Sequence, residues 1–284
     1  MPLSTWLIIA ISVGFGLMEL VRSDLFSKRE QCRNDGIVEA VSITILMILT
    51  QPGIIVLVDQ IGARFFPAYR GALADLSVFA AIPLFLVFED MMQYWWHRAS
   101  HTFPWLYNLH RAHHNGRYMS VRLVYRNNII YYAMMPSLWF AAVLVYLGLG
   151  WFYAGYVVVK MLVIISAHSD VKWDEPLYKI PALSPLMWLV ERTISTPATH
   201  HAHHGRHGSD PAVNYHGNYG NLLFFWDVLF GTAKITRTYP ESYGVENLPD
   251  ATLGQQLLWP LFPENADMDR HVPGARPVQQ AVKA

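Results

Sequence analysis

The chain has 284 residues, 53% hydrophobic and only 15% charged, with equal numbers of basic and acidic side chains. So apolar a composition, with a positive mean hydropathy, points to a bilayer rather than to a soluble domain, and the absence of a basic stripe removes the case for a nucleic-acid partner. Cys32 is the single cysteine, which excludes an intrachain disulfide, a Cys-x-x-Cys redox pair and a thiolate-held iron–sulfur cluster; it reads as an inert small residue, and electrons for any redox chemistry come from outside the chain.

In chain order, residues 3–21, "LSTWLIIAISVGFGLMELV", are long enough to cross a hydrocarbon core of about 30 Å. No basic region precedes this run and no small-x-small site follows it, so it reads as a first span rather than a cleaved signal. Residues 37–61 form the second expected span, kinked at Pro52-Gly53, and residues 73–96 the third. Residues 129–147 and 151–168 are the fourth and fifth, joined by "GLG" and therefore expected as an antiparallel hairpin. Placing the loop after the third span in the cytoplasm puts eighteen Lys and Arg inside against two outside, as the positive-inside rule requires. Lys160 is left within the fifth span, where it is expected to snorkel or face a wet cavity. The fold expected is all-α: a multi-pass membrane bundle of four to five spans, with a cytoplasmic helical cap from residues 97–128 and 169–239. Residues 1–239 form a single domain, and residues 240–284, polar and proline-bearing, read as a mobile tail with His271 on its surface.

Histidine is the informative residue. "HRASH" places His97 and His101 at i and i+4; "HRAHH" places His110, His113 and His114 at i, i+3 and i+4; "HHAHH" repeats that spacing with His200, His203 and His204. On a helix these offsets stack side chains on one face. One i, i+4 pair means little, but eight histidines in three such patterns on one side of one membrane describe a metal site. His201 falls about 100° off its stripe and is excluded; His207, in "GRHGSD", reads as a surface residue beyond the helix end or as an outer support of the site. His168, closing the fifth span in "SAHSD", is expected as a ninth ligand, with Asp170 either its partner or solvated.

Eight or nine imidazoles exceed the needs of one ion: structural zinc takes four ligands and catalytic zinc three plus water. "HRASH" also has Arg98 where a zinc protease carries its general-base glutamate. Two octahedral-leaning ions fit better, and imidazole suits iron, although copper or a zinc pair remains compatible with the ligand type. A pair of irons beside a membrane suggests dioxygen acting on an unactivated C–H bond. Neutral imidazoles leave the metal charge uncompensated, so carboxylates are expected to orient the rings. Asp90, Tyr94, His97 and His101 fall at roughly 0°, 40°, 340° and 20° around an ideal helix, which nominates Asp90 and Tyr94 as outer supports and turns Glu89 toward the headgroups. A metal-binding or transport protein is the competing class, but it would carry ionisable residues at mid-span, whereas these histidines sit at span ends or beyond.

With "YWWHRASH", "LHRAHH", "TPATHHAHHGRH" and "NYGNLLFFWDVLFGT", residues 88–232 resemble the fatty acid hydroxylase/sterol desaturase superfamily of membrane di-iron oxygenases, and are most similar to its alkylglycerol monooxygenase-like branch. The resemblance implies two iron ions held by His97, His101, His110, His113, His114, His200, His203 and His204, with His168 matching a further histidine found in parts of the family. It also implies dioxygen as co-substrate, a separate electron-donor protein, and a lipid (fatty acid, sterol or ether/amino lipid) hydroxylated at an alkyl or acyl carbon, or desaturated at the same site. Two positions depart from the pattern: Thr199 stands where a second histidine is common, and His216 where an aspartate is usual, so His216 is a candidate tenth ligand or outer group. Asn218, Tyr219 and Asp227 are expected to lock the cap.

Overall fold

The structure, a computed structural model, describes residues 2–22, 34–248 and 251–262; Cys32, His271 and the end of the expected tail lie outside them. Among the described residues the architecture is helical, without a named strand. Four helical runs are long and apolar enough to cross a membrane: α1 (Leu3–Arg22), α2 (Asp35–Phe65), α3 (Val78–Thr102) and the run Pro136–His168. Their outward faces are apolar, with Val21, Ile48 and Phe79 each more than 70% exposed, an exterior suited to hydrocarbon.

Five spans are expected where four runs appear, and Gly148 accounts for the difference. The last run is helical nearly throughout, but Gly148 has φ 106°, and its missing side chain is needed there: a Cβ would stand 2.9 Å from the backbone nitrogen of Ala74. We therefore distinguish α5 (Pro136–Leu144) from α6 (Gly150–His168). The chain reverses between them, because Tyr131, just ahead of α5, and His168, at the end of α6, both reach the histidine cluster: Tyr131 stacks on His110 at 4.8 Å and His168 lies 5.2 Å from His113 between ring centres. The expected hairpin is thus present, but its descending arm begins at Pro136, not at residue 129, leaving roughly 18 Å of rise before the turn.

The five segments run alternately toward and away from the histidines. α1 ends beside the end of α6, where Glu19 accepts from Ser169 Oγ at 2.7 Å. α2 starts at the histidine end, where Asp35 pairs with Arg126 at 2.7 Å, and its far end passes under Tyr146. α3 starts at the far end, next to the bond from Leu73 N to Leu147 O (2.7 Å), and carries His97 and His101 back.

Proline shapes two of these runs. Pro52 and Pro83 each remove a ladder donor, and each run contains a π turn, Leu46–Thr50 and Leu86–Met91. A π turn advances less per residue than an α turn, which rotates the faces of α3 ahead of its histidines. Glu89 accordingly points inward, not to headgroups: it is buried and holds Lys160 Nζ and Tyr156 OH, each at 2.5 Å. Lys160 therefore neither snorkels nor faces water but closes a buried ion pair between α3 and α6, beneath which Phe85 packs on Phe152, Tyr153 and Tyr156.

Over the histidine end lie α4 (Pro104–His114), α7 (Ser184–Thr193), α8 (Pro197–His204) and α9 (Phe225–Phe230). Part of the segment expected as a mobile tail is built into this cap. α10 (Leu253–Leu258) starts from a Thr252 capping box, and its buried Gln256 accepts from Arg126 at 2.7 Å; the polarity that suggested solvation serves internal hydrogen bonds instead.

The reversal predicts that Gly148→Ala lowers stability by about 1–3 kcal/mol, read as thermal unfolding in detergent, whereas Gly155→Ala, whose Cβ meets nothing within 4 Å, leaves it unchanged or slightly raised. Equal behaviour of the two variants would contradict the strained turn.

Candidate metal centre

Two of the histidine-bearing helices, α4 and α8, have distinct start signals. α4 opens with Pro104 in its first turn, where a missing N–H costs nothing. α8 opens with Pro197 behind a Thr196 cap, and Thr199 closes a reciprocal capping box that satisfies orphan donors at the helix start. Thr199, the residue that departs from the family pattern, thus fixes the helix bearing His200, His203 and His204.

The nine expected histidines converge in two groups. His97, His101, His110, His114 and His203 form one, and His113, His168, His200 and His204 the other; all are buried, and within each group the candidate ligand atoms lie within 4.8 Å of one another. Two of the three His-His dipeptides split between the groups: His113 and His204 enter one while His114 and His203 enter the other, because consecutive helical residues diverge by about 100°. The groups abut, with His114 stacked on His204 at 4.4 Å.

Ring orientation carries the chemistry. His97 Nδ1 donates to the Tyr219 carbonyl (2.8 Å), His203 Nδ1 to Gly217 O (2.8 Å), His113 Nδ1 to Leu123 O (3.0 Å), His168 Nδ1 to Ile164 O (2.8 Å) and His110 Nδ1 to Asn127 Oδ1 (2.9 Å). These oxygens only accept, so in the neutral rings each Nε2 is a bare lone pair. Yet the Nε2 atoms face one another: His97 and His203 at 3.0 Å, His113 and His168 at 3.3 Å. A hydrogen bond between such a pair would need a charged imidazolium in a buried cluster that contains no carboxylate, an expensive arrangement. Burial, followed in most cases by the neighbouring imidazoles, also pushes His110, His113, His114, His200, His203 and His204 well below the usual histidine range, which keeps those rings neutral.

A cation resolves the conflict. First-row ions bind imidazole nitrogen at about 2.1 Å, so two ligands at a right angle stand about 3.0 Å apart. Besides the two pairs above, His101–His114, His110–His114 and His168–His200 present Nε2 atoms at 3.1, 3.3 and 2.9 Å. Both ring nitrogens of His204 are buried without a hydrogen-bond partner, so that ring also has a nitrogen available to an ion. The residues present therefore fit one ion in each group.

The other candidates are placed differently. His201 is buried and uses both nitrogens for hydrogen bonds, Nε2 to Ser169 O (3.1 Å) and Nδ1 from Tyr243 OH (2.9 Å); burial pushes its pKa down to about 3, and it belongs to neither group. His207 is half-exposed beside Glu246, and His216 is exposed, outside both groups. Asp90 is buried, but its Oδ2 accepts from Trp226 Nε1 (2.8 Å) and Leu223 N (3.2 Å): with the π turn rotating its face, it anchors the approach to α9 instead of an imidazole. Tyr94 packs against Tyr219 and bonds Thr232 through its hydroxyl (2.9 Å), one ring removed from His97. His168 turns to Ile164 O, not to Asp170.

Carboxylates were expected to orient the rings; four backbone carbonyls and the Asn127 amide do so, and no side-chain motif reveals a carbonyl. The partial signal was "NYG" with "WD". Asp227 accepts from Tyr219 N (2.8 Å), Gly220 N (2.6 Å) and Thr232 Oγ1 (2.6 Å), while Asn218, at φ 58°, bonds Thr199 O and Lys234. These bonds fix the two carbonyls, of residues 217 and 219, that hold His203 and His97.

The family model described as fatty acid hydroxylase matches residues 82–232. The chain belongs to the fatty acid hydroxylase family, within the fatty acid hydroxylase/sterol desaturase superfamily. No curated protein and no solved structure matches it. The matched region contains all nine clustered histidines and Asp227; α1 and α2 lie ahead of it.

For this fatty acid hydroxylase family member, His203→Ala and His113→Ala should each abolish the ion of their own group, whereas His201→Ala should bind metal like the parent, measured as metal per chain by elemental analysis. Asn127→Ala should weaken metal retention about 10–100-fold. Metal loss in His201→Ala equal to that in His203→Ala would contradict the assignment.

Proposed function

We propose that the chain is a membrane-bound di-iron oxygenase that uses dioxygen and an external reductant to hydroxylate an alkyl or acyl C–H bond of a lipid. The observation that carries this reading is the pair of buried, all-imidazole groups with facing Nε2 atoms at the ends of apolar helices. Nitrogen ligands without thiolate suit iron among first-row metals, and the family is one of hydroxylases. Bound there, a pair of iron ions supplies the activation of dioxygen that an unactivated C–H bond requires.

The chain's own part is to hold and to seal. The nine histidines bind, the carbonyls of 123, 164, 217 and 219 with Asn127 orient, and Asp227 and Asn218 keep two of those carbonyls in place. α4 and α8, buried along their histidine-bearing turns, exclude water, so that oxidising power reaches a lipid carbon rather than solvent. Asp90 and Tyr94 support this cap from α3. The lipid enters from the bilayer along the apolar exterior, and the excess of basic residues in the loops at the histidine end supports a cytoplasmic position for that end. Hydroxylation consumes one dioxygen, two electrons and two protons for each alcohol and water formed; the electrons come from a separate donor protein, since a single cysteine cannot hold a cluster. Desaturation would use the same site and the same reductant but remove a second hydrogen.

Membranes containing the iron-replete protein, supplied with lipid extract, reductant and isotopically labelled dioxygen, should yield a lipid carrying the label. An unlabelled double bond would replace hydroxylation by desaturation, and iron-replete membranes that leave every lipid unoxidised would contradict the oxygenase.

A further inference from the structure

Glu19 lies in the last turn of α1, fully buried and far ahead of the region matched by the family. Its Oε1 accepts from Ser169 Oγ (2.7 Å), Val121 N (3.0 Å) and Asp170 N (3.1 Å), and its Oε2 from Ser120 Oγ (2.7 Å). All four partners are donors, and hydrogen bonds to a carboxylate are stronger than neutral ones. They come from two segments more than forty residues apart in the chain, which Glu19 joins at one point.

Both segments lead to the four-histidine group. Ser169 directly follows His168, and its carbonyl takes the Nε2–H of His201 (3.1 Å), next to His200. Residues 120 and 121 open the short turn Val121–Leu123, whose last carbonyl takes His113 Nδ1–H (3.0 Å). The Nε2 atoms of His113 and His168 meet at 3.3 Å, so a displacement of either support by an ångström would spoil the spacing two ligands of one ion need. The five-histidine group is supported elsewhere, by the carbonyls fixed through Asp227 and Asn218 and by Asn127, whose carbonyl is held by Ser42 Oγ of α2 (2.7 Å).

We infer that Glu19 is a positioning residue for the metal site formed by His113, His168, His200 and His204, and that the first membrane helix is thereby a structural part of that site. This inference rests on the two-ion reading above. Glu19 touches no ion; it acts by clamping the supports of His113 and His168. A glutamine keeps the clamp, because its amide oxygen can accept the three bonds to Oε1 and its NH₂ can donate to Ser120 Oγ. Alanine removes it.

The test uses full-length protein purified in detergent, as parent, Glu19→Ala and Glu19→Gln, with His113→Ala and His203→Ala as references for loss of either group. Ions per chain and the visible spectrum of the cobalt(II)-loaded forms are measured. Glu19→Ala should keep one ion, bind the other at least tenfold more weakly, and give the spectrum of His113→Ala; Glu19→Gln should restore the parent spectrum. Retention of both ions by Glu19→Ala, loss of both together, or failure of Glu19→Gln to restore the second would overturn the inference. A parent that holds fewer than two ions would instead overturn the two-ion reading.

Discussion

The structure depends on a repulsion that only a cation relieves. Four imidazoles, His97 with His203 and His113 with His168, spend their single proton on a carbonyl behind the ring and so turn bare nitrogens on each other at 3.0 and 3.3 Å. Nothing else in the cluster can neutralise that contact, because no carboxylate belongs to either group. The tautomer is set by the backbone and the backbone by the cap, so the demand for an ion is built in before any ion arrives.

Buried carboxylates do a different task from the one metal chemistry first suggests. Asp227 binds the backbone of 219 and 220, Asp90 binds Leu223 and Trp226, Asp174 binds the start of α8 at Ala198 N (2.9 Å), and Glu19 binds 120–121 and 169–170. Each fixes a loop that carries a carbonyl or a histidine, without touching an imidazole. The carboxylates thus serve the rigidity of the supports, and the two groups that could hold metal consist of imidazoles alone. This arrangement needs many imidazoles and tolerates little motion in the loops, and both the histidine count and the density of anchors follow from it.

The helices, the apolar exterior and the nine clustered histidines were legible in the sequence because each leaves a periodic or compositional mark: i, i+3, i+4 spacing for the boxes, long apolar runs for the spans, and the off-stripe angle that set His201 aside. Asp90 and Glu89 were misplaced because the 100° rule assumes an unbroken α-helix, and the π turn at Leu86–Met91 breaks it just ahead of the histidines. The orienting carbonyls of 123, 164, 217 and 219 carry no side-chain signature, since every residue has one. The role of Glu19 was hidden for a related reason: its partners lie more than a hundred residues away and two are backbone N–H groups. Composition misled at α10, where the polar Gln256 is taken up by Arg126, and the carbonyl of Trp259 just beyond the helix by Asn128.

The central claim is that imidazole alone surrounds the ions. X-ray absorption at the iron edge of the purified protein tests it most directly. The account predicts a first shell of nitrogen at about 2.1 Å, with the outer-shell scattering of several imidazole rings and no sulfur. A shell dominated by sulfur or carboxylate oxygen, or full lipid-oxidising activity in protein that shows no iron edge, would contradict it.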